Sequence, residues 1–293
     1  DQADTGKVET KTKIANNTLN YKGELEIMHF STSEEAEGNG GSDGFRSVLA
    51  DWEAIHPDIT VVENVLANDD YKTQIATLAA ANDLPDVFLL QGMNTKAWAA
   101  QGLILDMTDI IKNSPYASQY DDSLFYPFTA DGKIYGLPSG VYQFLLYYNK
   151  DMFDEKRIPY PSSDWNNPIT FEQLVEYAKL FTEGEGANKK FGYYGNADIF
   201  AIGPIAGEHI YKADGTYQIT DAHKKVFDLF NTMLTVDHSM PTPVDTKIMG
   251  GMDMFRAGRV AMCNEGTWWQ QTVREITDFR VGIAATPVIQ GKA

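Results

Sequence analysis

The sequence predicts an α/β fold, and three observations carry that reading. Between Gly23 and Leu90 strand-like and helical patterns alternate in the order βαβαβ, and strands joined by crossover helices lie parallel in a sheet covered on both faces. The chain has 293 residues, 43% hydrophobic and 22% charged, close to globular averages and long enough to bury a core without covalent staples. Its one cysteine, Cys263, excludes a disulfide framework within the chain and a cysteine-rich zinc site. At about 150 residues per domain, the length corresponds to roughly two domains.

The elements follow in order. Glu24–Phe30 alternates polar and apolar residues and reads as a strand. A glycine-rich loop runs through Gly38, Gly40, Gly41 and Gly44. Phe45, Val48, Leu49, Trp52 and Ile55 recur at helical spacing, and Pro57 stops that helix. Ile59–Val65 is β-branched and strand-like. Tyr71, Ile75, Leu78 and Ala79 mark a second helix, and Asp86–Leu90 is an almost wholly apolar strand. Beyond Gln101 the pattern is irregular as far as Asp131–Pro138, after which Val141–Tyr148 is mostly apolar. Pro159–Pro168 reads as a loop. Thr170 and Gln173 form a capping-box pattern that opens a helix with the stripe Leu174, Tyr177, Ala178 and Phe181. Another helix begins at Asp221 and carries Val226, Leu229, Phe230, Met233 and Leu234. Met252 and Phe255 form a short helix ended by Gly258. Arg259–Cys263 reads as a strand, Glu265–Ile276 as a helix, and Phe279–Ala285 as a strand that Pro287 ends. Cys263, after Val260, Ala261 and Met262, is expected to be a buried, unreactive thiol.

Charge narrows the partners. Asp and Glu number 41 against 24 Lys and Arg, a formal charge of -17. A field of that sign repels phosphate backbones and anionic lipid, so neither nucleic acid nor a membrane surface is an expected partner. No apolar run reaches the about 18 residues that span a bilayer. Residues 1–20, polar and rich in Thr, Lys, Asn and Asp, read as a flexible tether. Such a start suits a mature form from which a targeting segment has been removed.

Several motifs are set aside. Gly38, Gly40 and Gly44 follow a strand, but their spacing is one residue too long for a dinucleotide fingerprint, and Glu34, Glu35 and Glu37 would repel a pyrophosphate. A ligand loop at the carboxyl end of the first strand fits better. The five histidines are scattered, with no pair at i, i+4 and no HExxH, so no metal is expected. There is no GxSxG elbow. With 41 acids, carboxylate pairs in a cleft carry no specific signal for glycosidase chemistry. The aromatics are more telling. Tyr142, Tyr193, Tyr194, Trp268 and Trp269 lie in loops or beside Gly and Asn, and flat rings among amides and carboxylates suit sugars, whose C–H faces stack while their hydroxyls hydrogen-bond.

Four segments combine into a more specific pattern: Thr73–Leu90, Asp131–Pro138 with Leu145–Trp165, Phe255–Trp269 and Phe279–Gly291. In this order the set resembles the extracellular solute-binding proteins of the maltose-binding type, which serve carbohydrate ABC importers. YYNKDMF and GRVAMCNEGTWW are its most specific stretches, and the resemblance covers about Gly23 to Gly291. It implies an α/β, two-lobed periplasmic-binding clamp of type II, each lobe a sheet flanked by helices. Residues 21–138 with 284–293 would form the first lobe and 139–283 the second. The chain would cross between lobes near Leu137–Val141 and again near Gly282–Pro287. Family members continue past the strand matching Val281–Ala285, so a C-terminally truncated form is expected. The resemblance further implies a sugar or oligosaccharide ligand, delivery to an ABC transporter membrane permease, no catalysis and no cofactor. It also implies residence in the periplasm or, lipid-anchored, on the extracellular face of the cell membrane, acting as a monomer. The competing classes are a carbohydrate-active enzyme, glycosidase or lyase, and a sugar-sensing ectodomain.

The candidate ligand residues follow from these readings. Carboxyl-end loops of a parallel sheet converge on a ligand site, which nominates Ser31, Thr32, Asn68, Asp69, Gln91, Met93 and Asn94. Tyr142 and Gln143 follow Pro138 beside the first crossing. Glu265 and Trp268 lie at a strand-to-helix turn with Gly266, where exposed amide groups can bind oxygen atoms. Adjacent tryptophans point roughly 100° apart on a helix, so one faces outward while the other packs inward. The resemblance assigns the sugar-stacking role to Trp268 and the core to Trp269. Tyr194 and Asn196, after a turn at Phe191-Gly192, complete the set.

Overall fold

A computed structural model describes residues 21–31, 41–140, 142–195, 199–210 and 218–291. The proposed N-terminal tether, and most of the glycine-rich loop, lie outside the described residues. The chain divides into two compact units, Asp1–Ser139 and Gly140–Ala293.

The first unit is built on the βαβαβ run. Strand β1 (Gly23–Ser31) leads to helix α1 (Gly41–Ile55), β2 (Ile59–Ala67), α2 (Asn68–Ala81) and β3 (Val87–Phe88). The strands form a parallel sheet in the order β2-β1-β3, with Ile27 opposite both Glu63 and Val87. Helix α1 takes in Gly41 and Gly44, which were expected in the loop. Asn82 stops α2 in the left-handed conformation, φ 55°, which Asn tolerates better than most residues. The core is small: Met28, Tyr71 and Ile75, with Phe30, Leu78, Leu89 and Trp98 against them. Asp86–Leu90 is not a fully buried strand. Only Val87 and Phe88 pair, and Val87 is 48% exposed, because the sheet has no fourth strand beyond β3 among the described residues. Short helices α3 (Thr95–Ala100) and α4 (Thr108–Lys112) follow. Then β4 (Thr129–Ala130) and β5 (Lys133–Ile134) pair around Asp131-Gly132, both at positive φ, the requirement of a two-residue hairpin turn.

The second unit carries a mixed sheet. Strand β6 (Phe144–Asn149) enters α5 (Lys150–Lys156), followed by α6 (Phe171–Phe181), β7 (Phe191–Gly195), α7 (Ile199–Ala206), α8 (Asp221–Thr235), α9 (Pro243–Ile248) and α10 (Gly251–Arg256). Strand β8 (Val260–Gly266) leads through a 3₁₀ turn, Thr267–Trp269, into α11 (Gln270–Arg274) and finally β9 (Val281–Ala284). The order is β7-β8-β6-β9, with β7 parallel to β8 and β6 antiparallel to both neighbours. Side chains of β6 and β8 alternate between two cores. Leu146, Tyr148 and Met262 join Phe153, Phe171, Leu174 and Phe230; Leu145, Tyr147 and Cys263 join Met252 and Phe255 on the other face. Asn149 caps α5, its Oδ1 accepting from the amides of Asp151 and Met152 at 3.0 and 3.1 Å. Capping boxes open α6 (Thr170 with Gln173), α8 (Thr220 with His223) and α9 (Thr242 with Asp245).

Three expectations need correction. Phe191-Gly192 is not a turn but the start of β7, which places Tyr193 fully in the core. The helix expected from Glu265 begins later, because Glu265 and Gly266 still pair with Leu145 and Phe144. Residues 284–291, assigned by resemblance to the first lobe, are hydrogen-bonded within the second unit. Ala284 pairs with Leu146, the Ala285 amide donates to the Ser162 carbonyl at 3.1 Å, and the Phe171 amide donates to the Val288 carbonyl at 2.8 Å. Their backbone groups find partners there, so leaving the unit would strand them.

Helix α6 lies directly on β7. A Cβ at Gly192 would sit 1.9 Å from the Ala178 carbonyl oxygen, so Gly192→Ala must push helix and sheet apart. We expect a loss of about 1–3 kcal/mol or more, read as a lower urea midpoint. Gly136→Ala, whose added carbon meets nothing nearer than 3.8 Å, should stay within about 0.5 kcal/mol. Cys263 is fully buried, and that burial, with Glu265 adding to it, pushes its thiol pKa up. A polar disulfide reagent should therefore leave the native protein unmodified and label the thiol only in denaturant.

Candidate functional site

In the second unit, β7 and β8 run parallel, and β6 runs the other way between β8 and β9. The carboxyl ends of β7 and β8 therefore meet the amino end of β6 at one edge of the sheet. The β6–β8 ladder continues past the strands there: the Thr267 amide donates to the Gln143 carbonyl at 2.9 Å, and the Gln143 amide approaches Thr267 Oγ1 at 3.4 Å. This closure brings residues far apart in sequence side by side. Tyr142 and Trp268 meet edge to face, centroids 5.7 Å apart at 68°, and Phe144 meets Trp268 at 5.5 Å and 81°.

The outer faces stay open. Tyr142 is 62% exposed and Trp268 44%. The indole of Trp268 lies over the Gly266 backbone, where a Cβ would come within 2.1 Å of the ring. Trp269 turns inward to the second core, and its Nε1 donates to Glu265 Oε2 at 3.1 Å. Tyr147 lies beneath, its hydroxyl donating to the Gly266 carbonyl at 3.3 Å. Burial, followed by Cys263 and Glu265, pushes the Tyr147 hydroxyl up to about 12, so it remains a donor at neutral pH. The edge thus offers two open aromatic faces set at an angle, on a backbone held by hydrogen bonds.

Other nominated residues are placed differently. Glu265 is buried in β8 and faces the Trp269 side rather than the open edge. Tyr194 is half-buried in β7 against Gly251, where a Cβ would come within 2.1 Å of its ring. Burial, then Glu265, pushes its hydroxyl up to about 12. Asn196 lies outside the described residues. Phe144 and Thr267 were missed. Their signal is the pairing of β6 with β8, which no local pattern contains.

In the first unit, Ser31 ends β1, and Thr32 lies outside the described residues. Asn68 and Asp69 open α2 at the carboxyl end of β2; Asn68 is half-buried with an unpartnered Oδ1, while Asp69 is exposed and pairs with Lys72 at 3.2 Å. Gln91 and Asn94 come together in a cavity of about 210 Å³ lined also by Phe30, Tyr71, Ile75 and Trp98. Met93, 40% exposed, does not line it. Among the described residues no cluster of His, Cys, Asp and Glu could hold a metal ion, and no helix is long and apolar enough to cross a membrane.

Comparison with known proteins agrees with this architecture. Residues 47–293 match the family model for bacterial extracellular solute-binding proteins. A putative binding protein of Brucella abortus is 25% identical over 250 residues, covering 83% of this chain and 59% of the relative, so the chain spans about three-fifths of that protein's length. The galactooligosaccharide-binding protein of Bacillus subtilis is 30% identical over 190 residues, 61% of this chain and 40% of the relative. Among solved structures, a Listeria monocytogenes ABC substrate-binding protein in complex with cycloalternan superposes with a TM-score of 0.76 at 24% identity, covering 93% of this chain and 68% of that one. The family model spans most of the chain and the fold agrees with it: the chain belongs to the bacterial extracellular solute-binding protein family.

Proposed function

We propose that the chain is the substrate-binding component of a bacterial ABC importer. It binds a sugar or oligosaccharide and delivers it to a membrane permease. The observation that carries this reading is the pair of open aromatic faces, Tyr142 and Trp268, at the sheet edge of a solute-binding fold. Aromatic faces take the C–H surfaces of sugar rings, while nearby amides and hydroxyls take their hydroxyl groups. In the first unit, Gln91 and Asn94 are the polar contacts favoured by their shared cavity, with Asn68 beside them in the set. The protein acts as a monomeric binder without catalysis, on the outer face of the membrane by a lipid anchor or free in the periplasm. Binding shifts the population of the two units towards the state the permease recognises. The names of relatives that bind oligosaccharides support the ligand class.

A thermal-shift screen of mono- and oligosaccharides tests the reading. A true ligand at about 100 times its Kd adds roughly 2.7 kcal/mol of apparent stability. No shift with any sugar, or new reducing ends in excess of the protein, would overturn it. With a ligand in hand, Trp268→Ala should weaken binding by about 0.5–1.5 kcal/mol beyond area burial and leave the melting temperature nearly unchanged. Trp269→Ala should lose about 2–4 kcal/mol of stability. The reverse outcome would exchange the two roles. Tyr142→Phe keeps the ring and removes the hydroxyl, so an affinity loss of about 0.5–1.5 kcal/mol assigns a hydrogen bond to sugar, and no loss leaves stacking as its part.

A further inference from the structure

Trp268 and Trp269 are adjacent and chemically identical, so something must decide which one faces outward. The 3₁₀ turn that holds both residues sets their side chains about 120° apart, but it does not by itself fix which of the two faces inward. The nearest directional group is Glu265. It is the penultimate residue of β8, paired with Leu145 and only 5% exposed. Its Oε2 accepts from Trp269 Nε1 at 3.1 Å. A buried carboxylate is costly unless its oxygens are hydrogen-bonded, and an indole N–H can only donate. The Gly266 amide approaches the same oxygen at 3.4 Å, but of these two donors the Trp269 indole is the one whose bond depends on which way a side chain faces. Glu265 stands opposite Leu145 in the ladder, on the face that carries Leu145, Tyr147 and Cys263, which places its carboxyl on the side of the second core rather than at the open edge.

With Trp269 held inward, the 3₁₀ turn that follows Gly266 sends Trp268 to the other side. There its ring lies on the Gly266 backbone and against Phe144 and Tyr142. We infer that Glu265 is a positioning residue: it does not touch the sugar, but through Trp269 it holds the turn that presents Trp268. This replaces its earlier nomination as a ligand contact. The inference rests on the reading of Trp268 as the stacking face, but its test needs no sugar.

The experiment labels all five tryptophans with fluorotryptophan and follows them by fluorine NMR. The Trp268 and Trp269 signals are assigned from Trp268→Phe and Trp269→Phe, and their exposure is read from the shift between light and heavy water. In the wild type, the Trp269 signal should be the protected one of the pair. Glu265→Gln, whose amide oxygen still accepts the indole N–H, should keep the wild-type pattern. Glu265→Met removes the acceptor and should lower the ratio of inward to outward Trp269 by roughly tenfold or more, making its signal more exposed and moving that of Trp268. Trp269→Phe breaks the same bond from the other side, so it should also move the Trp268 signal, and it decides the matter if Glu265→Met fails to fold. The inference is overturned if Trp269 stays protected in a folded Glu265→Met variant, if Glu265→Gln disturbs the pair as much as Met does, or if Trp269→Phe leaves the Trp268 signal in place. A failure of the sugar-binding reading would appear elsewhere, as Trp268→Ala with unchanged affinity.

Discussion

The antiparallel pairing of β6 with β8 is the contact on which the second unit depends. Its register sets Leu146 opposite Asn264, Tyr147 opposite Cys263 and Phe144 opposite Gly266. Successive side chains of a strand point to opposite faces, so one ladder supplies two cores at once. A slip of β6 by one residue would send Leu146 and Tyr148 to the face of Cys263 and bring Leu145 and Tyr147 to the face of Met262. The same register decides the site. Gly266 opposite Phe144 leaves the hole that the Trp268 ring fills, and the ladder runs on through Thr267 and Gln143, so the aromatic edge extends the sheet and is not a separate loop.

Around this ladder, polar groups tie helices to strands. Asn149 turns the end of β6 into the start of α5. Asp151 and Asp154 on that helix then receive the guanidinium of Arg280 just before β9, and Tyr160 donates to Asp154 at 2.7 Å. Hydrogen bonds from the Arg280 backbone and side chain hold the Asp151 carboxyl below its usual range, and those from Tyr160 and Arg280 do the same for Asp154. Exposed pairs of this kind contribute little stability each. Their effect is to fix the angle at which β9 approaches β6, which the amide of Lys150 completes by donating to the Arg280 carbonyl at 2.9 Å. Past β9 the chain stays bound to this unit through Ser162, Phe171 and Ile205.

The two units differ in how their cores are filled. In the second, large side chains such as Phe153, Phe171, Phe230 and Tyr193 are fully or almost fully buried on the helical side of the sheet. In the first, few of the described residues are buried, and Val62, Val87, Leu105 and Ile110 remain exposed. Buried apolar area is the main favourable term in folding, and among the described residues the second unit buries more large apolar side chains than the first. That unit also holds the aromatic edge, and its packed core supports the turn that carries Trp268.

Much of this was legible in the amino-acid order. Local spacing determined the βαβαβ run of the first unit, the helices opened by Thr170 and at Asp221, the burial of Cys263, and the opposed directions of Trp268 and Trp269. All of these depend on neighbours within one or two turns of chain. What the tertiary structure alone decided lies between residues distant in sequence. Tyr193 looked like a loop aromatic until Phe191–Gly195 proved to be a strand beside β8. Glu265 looked like the start of a helix until its pairing with Leu145 set it in the buried part of β8. Phe144 had no visible role until Gly266 stood opposite it, and 284–291 stayed with the second unit through carbonyls of distant loops. Gln143 and Thr267, which close the candidate site, are 124 positions apart. Hydrophobic periodicity records which face of an element is buried, but not which other element buries it, and the site is made of that second choice.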